Sequence, residues 1–316
     1  MRTEELQITC QAVIDEVGKA VVGKRQVLER VMLAILCNGH VLFEDYPGLA
    51  KTMMANCFAQ ASGLSFKRVQ FTPDLMPADI TGTYILDRSS GEFKLRKGPV
   101  FTNLLLADEI NRAPPKTQAA LLEAMQERQV TLEGESLQLP RPFLVLGTQN
   151  PIEYEGTYPL PEAQIDRFLI RTSVGYPNLE EEREVLRRRR VRMREEVSLA
   201  KVCSAERIVE MQEVVERIHV QDVIEEYIVT IVAATRRHPQ VELGASPRGS
   251  LALMRLSAAC AALRGRDFVL PDDVKEVAVP ALAHRLILAA DPWIRGVKPQ
   301  AVVEEVLKEV PVPKVG

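Results

Sequence analysis

Lys51 and Thr52 are adjacent side chains that together could bind phosphate. They follow the apolar stretch "HVLFE" and precede residues with the apolar spacing of a helix. A lysine ammonium and a hydroxyl at a helix N-terminus can hold the outer phosphates of a nucleotide and the accompanying Mg²⁺. The pattern for such a loop, G-x-x-x-x-G-K-[ST], has glycine where this chain has Asp45 and Ala50. The stretch therefore predicts a phosphate-binding loop with an imperfect match; a turn with an exposed lysine is the alternative.

The two replaced glycines have different consequences for the loop. Ala50 adds one methyl group and can adopt helical angles at the start of the helix, so we expect a small effect. At Asp45 a left-handed backbone would cost about 1–2 kcal/mol. Its carboxylate would also oppose the phosphates, unless it points outward and solvent screens it. Because Gly48 permits close approach of the backbone and Pro47 stiffens the loop, we expect a weakened loop rather than an inactive one.

Polar side chains end two further apolar stretches. Asp108 and Glu109 end "NLLLADE", where the first acid can orient Mg²⁺ or its water ligands and the second can activate an attacking water. Asn150 ends "FLVLGTQN" and could hold the same water. Asn also suits a turn before Pro151, so a turn residue is the alternative.

Two arginines occupy positions that could respond to phosphate. Arg167 stands before a short apolar stretch and could pair with the neighbouring Asp166 or reach the nucleotide of an adjacent subunit. Arg248 follows Pro247 at the start of a helical stretch, where the helix dipole disfavours a cation. A nearby phosphate would explain that position.

The elements that must position these residues fall into two parts. Apolar strands alternate with helices as far as Tyr176, which predicts a mainly parallel sheet covered on both faces, with two hairpins added to it. Beyond Tyr176 we expect helices only. The predicted division is an α/β core domain at 1–178, a linker helix at 179–196 and a helical lid domain at 197–316.

Composition limits the classes of function. The net charge of −3 gives no basic field for nucleic acid, and the run "RRRRVRMR" follows "LEEERE", which favours a salt-bridged helix over a nucleic-acid contact. The five cysteines are scattered, so neither a disulfide framework nor a zinc site is expected. No apolar run approaches the roughly 20 residues of a membrane span, and the polar start "MRTEELQITC" is not a signal peptide, so we expect a cytoplasmic protein.

The chain resembles the MoxR family of AAA+ ATPases over nearly its whole length. The resemblance rests on "VVGKRQVLERV", "PGLAKT", "FTPDLMPADITG", "GPVFTNLLLADEINRAPPKTQAALLEAMQERQVTLEG", "GTQNPIEYEGTYPLPEAQIDRF" and "GASPRGSL". It implies Walker A at Lys51 and Thr52, Walker B at Asp108 and Glu109, sensor 1 at Asn150, an arginine finger at Arg167 and sensor 2 at Arg248. It also implies that Thr52 and Asp108 hold Mg²⁺ and that nucleotide contacts come from Val22 and Gly23 at the adenine and from Pro47, Gly48, Leu49, Ala50, Lys51, Thr52 and Met53 at the loop.

The fold that the resemblance implies is an α/β AAA+ P-loop NTPase core followed by a C-terminal all-α lid domain. Residues 71–97 match the helix-2 insert of such proteins, and residues 129–139 match the pre-sensor-1 hairpin. The implied cofactors are ATP and Mg²⁺, with hydrolysis at a composite site in a homo-oligomeric, hexameric ring. The implied work is remodelling, assembly or metal insertion of a client or adaptor, for which the resemblance suggests a von Willebrand factor A domain protein.

Two alternatives to an efficient ATPase remain. The chain could be a nucleotide-binding scaffold or switch that hydrolyses weakly because of Asp45. It could also be a nucleic-acid motor, as the hairpin insertions suggest, although the balanced charge disfavours this class.

Overall fold

The computed structural model describes residues 1–151, 156–194 and 197–314 of the chain. The helices are α1 Thr3–Gly18, α2 Arg25–Leu36, α3 Lys51–Ser62, α4 Pro77–Thr81, α5 Pro115–Glu127, α6 Glu162–Ile165, α7 Leu179–Arg192, α8 Ala205–Val215, α9 Asp222–Arg237, α10 Pro247–Leu263, α11 Pro271–Leu282, α12 Ala290–Ile294 and α13 Pro299–Glu309. The strands are β1 Val41–Glu44, β2 Phe66–Gln70, β3 Gly82–Asp87, β4 Glu92–Lys97, β5 Leu104–Asp108, β6 Gln129–Leu132, β7 Glu135–Gln138, β8 Leu144–Gln149, β9 Ile170–Thr172, β10 Val241–Leu243 and β11 Ile287–Leu288. Short 3-10 turns lie at Ile110–Arg112 and Ala283–Arg285.

Five strands form the central sheet, in the order β2-β5-β8-β1-β9, and every neighbouring pair is parallel. The predicted parallel sheet is therefore confirmed. Because all five strands run in one direction, their carboxyl ends meet at one edge of the sheet. That edge carries Asp108 on β5, Gln149 on β8 and the start of the loop after β1.

The strands at the middle of the sheet, β5, β8 and β1, are mainly apolar up to their polar ends because both faces of the sheet are covered by helices. Along β1, Val41 and Phe43 join the apolar cluster that contains α1, α2 and α3, whereas Leu42 joins the cluster that contains α5. This alternation is the two-residue period of a strand. It places the loop that follows β1 between the two layers of helices.

Two antiparallel hairpins interrupt the alternation of strands and helices, as the sequence predicts. In the first, Gly82 pairs with Lys97 and Asp87 pairs with Glu92. In the second, Gln129 pairs with Gln138. Neither hairpin joins the central sheet, so both are additions to the parallel core.

The described part of the region after residue 196 is mainly helical, from α8 to α13. The sequence predicts helices only in this region, but β10 and β11 form a short antiparallel pair. Helices α8 and α10 share one apolar cluster with α1 and α2, and Gln212 Nε2 donates to the carbonyl oxygen of Ile35 at 2.7 Å. The predicted division at residues 178 and 196 stays a prediction, and residues 195 and 196 lie outside the described part.

Helix α7 carries most of the basic run, and none of its side chains is buried. Glu184 accepts from Arg188 at 2.9 Å and also pairs with Arg187, so the salt-bridged helix is confirmed within residues 179–192. All five cysteines are free. Within the described ranges, no helix has the length and apolar character that crossing a membrane requires.

Candidate functional site

The loop from β1 to α3 surrounds the ammonium group of Lys51. Lys51 Nζ donates to the carbonyl oxygens of Tyr46 at 2.7 Å and Asp45 at 3.2 Å. Gly48 has a φ of 81° and Ala50 a φ of 56°. The expectation that Ala50 takes helical angles is therefore wrong: Ala50 is left-handed, which costs an alanine roughly 1–2 kcal/mol. Such strain is common where a loop must present its N–H groups to a ligand.

Asp45 continues β1 rather than starting the turn. Its N–H donates to the carbonyl oxygen of Gln149 at 3.1 Å, which extends the ladder between β1 and β8. Its side chain is only 6% exposed, so solvent cannot screen it as an outward carboxylate would be screened. The carboxylate instead accepts hydrogen bonds from the segment that follows β9.

A cavity of about 420 Å³ joins this loop to the ends of β2, β5 and β8. The residues lining it are Asp45, Pro47, Gly48, Leu49, Ala50, Lys51, Thr52, Met53, Arg68, Gln70, Asp108, Glu109, Thr148, Gln149 and Asn150. Burial lowers the pKa of Lys51 from its ordinary 10.5, while Asp45, Asp108 and Glu109 oppose that shift. A polyanion entering the cavity would meet a mainly buried cation at a helix N-terminus.

Asp108 is held from two sides. Its Oδ1 accepts from Thr148 Oγ1 at 2.6 Å, and its Oδ2 accepts from Arg68 Nη2 at 2.7 Å and Nε at 3.2 Å. Thr148 Oγ1 in turn accepts from the N–H of Glu109 at 2.8 Å. The neighbouring strands β2 and β8 thereby fix the position of the acid at the end of β5.

Glu109 adopts an unusual backbone conformation and is also held by its neighbours. Its φ of 57° and ψ of 52° lie in the left-handed region, which non-glycine residues enter rarely. Its Oε2 accepts from Gln70 Nε2 at 2.7 Å and from Arg112 Nη1 at 2.9 Å. Strain of this kind clusters at functional sites, and here it turns a carboxylate towards the cavity that Lys51 lines.

Sequence reasoning missed Arg68, Gln70 and Thr148. A signal for the first two was present, because alternation along "FKRVQF" places Arg68 and Gln70 on one face of β2. Asn150 was predicted, and it lines the cavity and is 8% exposed.

The donor set suits a Mg²⁺ ion that arrives with a nucleotide. Thr52 and Asp108 both line the cavity and supply a hydroxyl and a carboxylate, the hard oxygen ligands that Mg²⁺ prefers. Mg²⁺ needs few protein ligands because phosphate and water complete its shell. Within the described residues, no separate group of three metal-ligating side chains exists.

A second cavity of about 380 Å³ adjoins the loop and shares Gly48, Leu49, Ala50 and Met53 with the first. Apolar side chains from three other segments line it, among them Val22, Val174 and Pro177. Gly23 does not line this cavity. Its φ is 72°, and a Cβ there would lie 2.1 Å from Oε1 of Glu181, so close packing accounts for the glycine.

The two predicted arginines lie together but away from the phosphate loop. Arg167 and Arg248 line a third cavity of about 240 Å³, which shares no lining residue with the cavity around Lys51. Arg248 Nη1 lies 3.7 Å from Asp166 Oδ2, and Asp166 Oδ1 accepts from Arg285 Nε at 2.7 Å. Arg167 Nε is buried and has no hydrogen-bond partner within the described part of the chain. Sequence reasoning missed the other arginines of this cavity, Arg128, Arg255 and Arg285.

The fold and the loop by themselves define a class of protein. A parallel sheet with a Lys-Thr loop after one strand and an Asp-Glu pair at the end of another is the core of a P-loop nucleotide-binding protein. Residues 40–170 match the model for the ATPase family associated with various cellular activities (AAA), and residues 233–306 match the AAA lid domain.

Relatives identify the branch of that class. The chain is 45% identical to Chaperone MoxR1 of Mycobacterium tuberculosis, over 97% of this chain and 83% of that protein. It is 33% identical to Protein MoxR of Methylorubrum extorquens over 86% of each chain, and 47% identical to the uncharacterized protein YeaC of Bacillus subtilis over 98% of this chain and 97% of that one. The chain belongs to the MoxR family of AAA+ ATPases.

A solved structure matches the whole architecture. A Cytophaga hutchinsonii protein of known crystal structure superposes with a TM-score of 0.92 at 42% sequence identity, over 99% of this chain and 97% of that one. The core and the helical lid therefore occur together in both proteins.

Proposed function

We propose that the protein binds ATP with Mg²⁺ in the cavity around Lys51 and hydrolyses it. The observation that carries the proposal is the convergence of Lys51, Thr52, Asp108, Glu109 and Asn150 on one cavity. The adjoining apolar cavity, lined in part by Val22, supplies room for a base next to the phosphates.

The phosphates replace carbonyl oxygens as acceptors for Lys51. Its ammonium donates to the carbonyls of Asp45 and Tyr46, which are weaker partners than phosphate oxygens. Thr52 and Asp108 would hold Mg²⁺, and the ion supplies neutralisation of charge on the outer phosphates. For Asp108 to serve this role, Arg68 must leave its Oδ2.

Glu109 is the proposed general base. Its carboxylate must exchange Gln70 and Arg112 for a water that Asn150 helps to align. Gln70 is exposed and the side chain of Arg112 is 43% exposed, so both can bond to water after the exchange. Glu109 would take a proton from that water, whose oxygen then bonds to the terminal phosphorus in line while the bond to the bridging oxygen breaks and ADP leaves.

Arg167 and Arg248 are proposed to act on the nucleotide of a neighbouring copy of the chain. Their shared cavity is separate from the one around Lys51, which supports a role towards the nucleotide of a second subunit. The position of Arg248 beside Asp166 supports this shared role. We therefore propose a homo-oligomeric ring, a hexamer, with composite sites between subunits; movement of the lid with Arg248 would couple hydrolysis to mechanical work.

The proposed work is chaperone-like remodelling or assembly of a partner protein, which includes help with metal insertion. The name Chaperone MoxR1 of a relative at 45% identity supports the chaperone-like role. A partner with a von Willebrand factor A domain and a cytoplasmic location complete the proposal.

ATP turnover in the variant Glu109→Gln tests the proposed hydrolysis. We expect kcat to fall by about 100-fold or more, because a positioned general base contributes factors of this order. ATP binding should persist, since the loop is intact. Glu123→Gln, on the exposed face of α5, is the matched control and should retain full turnover.

Two results would contradict the proposal. Equal phosphate release by Glu109→Gln and the wild-type protein would exclude Glu109 as the base. ATP binding by the wild-type protein without measurable turnover would support the scaffold or switch instead.

A further inference from the structure

The side chain of Asp45 makes several hydrogen bonds, at a position where the pattern for a phosphate-binding loop has glycine and therefore no side chain. Its Oδ1 accepts from Ser173 Oγ at 2.6 Å and from the N–H of Gly175 at 3.2 Å, and its Oδ2 accepts from the N–H of Val174. All three donors come from residues 173–175. Hydrogen bonds to an ionised carboxylate are stronger than neutral ones, so three of them join the two segments firmly.

The bonded segment leads directly to the linker helix. Residues 173–175 follow β9, and α7 begins at Leu179 after the capping residue Asn178. Between them, the Tyr176 ring lies 6.0 Å from the Tyr46 ring, and the Tyr176 carbonyl accepts from Lys24 Nζ at 2.9 Å. The loop that holds Lys51 is therefore joined to the segment before α7 at two successive residues. Asp45 bonds to residues 173–175, and Tyr46 contacts Tyr176.

The same segment also forms one wall of the adjoining cavity. Val174, Gly175 and Pro177 line this cavity together with Gly48 and Ala50 of the loop. The wall is completed by α7 through Arg188, which also donates to the carbonyl oxygens of Gly18 and Lys19 at 2.9 Å each. A ligand in this cavity would thus touch both the segment that Asp45 holds and the helix that follows it.

We propose that Asp45 is a positioning residue for nucleotide binding. It joins the phosphate-binding loop to residues 173–175 so that both segments enclose the nucleotide, and α7 shifts when the nucleotide binds. The inference rests on the proposed function of the Lys51 cavity. It reverses the expectation drawn from the sequence. If Asp45 only weakened the loop, Asp45→Gly would bind nucleotide more tightly; if it holds the wall, Asp45→Gly binds more weakly.

Binding of ADP with Mg²⁺ and amide hydrogen exchange of residues 173–178 test the proposal. In Asp45→Gly we expect ADP affinity to fall by about tenfold, because bonds to a charged group are lost. The N–H groups of Val174 and Gly175 should exchange faster, and ADP should no longer slow their exchange. Asp291→Asn, which alters an exposed carboxylate of the lid, is the control and should match the wild type.

Ser173→Ala provides a second test if Asp45→Gly does not fold, as judged by the lack of a cooperative unfolding transition. It removes one donor of the three, so we expect an affinity loss of about two- to fivefold and a smaller acceleration of exchange. The proposal is overturned if Asp45→Gly binds ADP as tightly as the wild type or more tightly, or if exchange at 173–178 is unchanged in both variants. If the wild-type protein binds no ADP, both the proposed function and the inference are refuted. If the wild-type protein binds ADP and the two variants bind it equally well, only the inference is refuted.

Discussion

At the residue scale, Arg68 competes for the carboxylate that would hold Mg²⁺. Its guanidinium bonds to Asp108 Oδ2 at 2.7 Å and also donates to Gln70 Oε1 at 3.1 Å. Gln70 then donates to Glu109. Residues from one face of β2 therefore hold both acids at the end of β5, and the proposed binding of Mg²⁺ with nucleotide would require these contacts to break.

Arg68→Ala should lower the Mg²⁺ concentration that gives half-maximal ATP turnover, because Asp108 loses its competing cation. The side chain of Arg68 is 48% exposed, and exposed ion pairs contribute about 0.2–1 kcal/mol, so we expect a shift of about two- to fivefold. Titration of turnover with Mg²⁺ at fixed ATP measures it. Lys67→Ala, on the adjacent exposed position of β2, is the control. An unchanged or raised Mg²⁺ requirement would show that Arg68 does not compete.

At the element scale, His40 joins three parts of the core at the start of β1. Its Nδ1 accepts from the N–H of Val145 on β8 at 2.9 Å, so Nε2 carries the proton and lies 3.0 Å from the carbonyl of Met125 on α5. Burial, aided by the Arg128 guanidinium, holds the pKa of His40 well below its ordinary 6.5. The neutral ring is thus part of the packing of strand against helix.

The free energy of unfolding should therefore fall as the pH drops below 6.5. In that range His40 binds a proton in the unfolded chain but not in the folded chain, so the free energy of unfolding falls by up to about 1.4 kcal/mol per pH unit; the loss becomes small once the pH rises well above 6.5. Urea unfolding between pH 5 and 8 measures the slope. His40→Asn should make the slope smaller but not abolish it, because burial also holds the pKa of His284 well below its ordinary 6.5. His219→Asn, at an exposed position, serves as the control. An unaltered slope in His40→Asn would contradict this assignment.

How far the sequence predicts each element depends on how local its signal is. Strand β5 and the hairpins are predictable because burial on both faces and turn residues leave local patterns. The pair β10–β11 is only three and two residues long, too short for any periodicity. The role of Asp45 is also hidden, because its partner Val174 lies 129 residues further along the chain.

Local patterns also misjudge backbone conformation at the site. The expectation of helical angles at Ala50 follows from helix propensity, yet the closed loop requires a left-handed residue there. Glu109 is a similar case, since an acid after an apolar strand gives no sign of its φ of 57°. Strain of this kind persists only where the surrounding structure holds the residue in place, as Thr148, Gln70 and Arg112 hold Glu109.

At the scale of the whole molecule, the residues proposed for one reaction lie in two separate cavities. Lys51 and Glu109 line one, and Arg167 and Arg248 line the other. At the junction of core and lid, Asp166 forms ion pairs with Arg248 and with Arg285. A site completed by a second subunit would explain why the buried Nε of Arg167 has no hydrogen-bond partner among the residues that the structure describes.

Subunit mixing tests this composite site most directly. Lys51→Ala should abolish nucleotide binding but still supply Arg167, whereas Arg167→Ala should bind ATP but lack the arginine that stabilises charge in its neighbour's site. Each variant alone should hydrolyse ATP at a small fraction of the wild-type rate. We predict that mixing the two restores part of that rate, as measured by phosphate release with oligomer size monitored. Mixed oligomers of intact size that show no more turnover than the two variants alone would contradict the composite site.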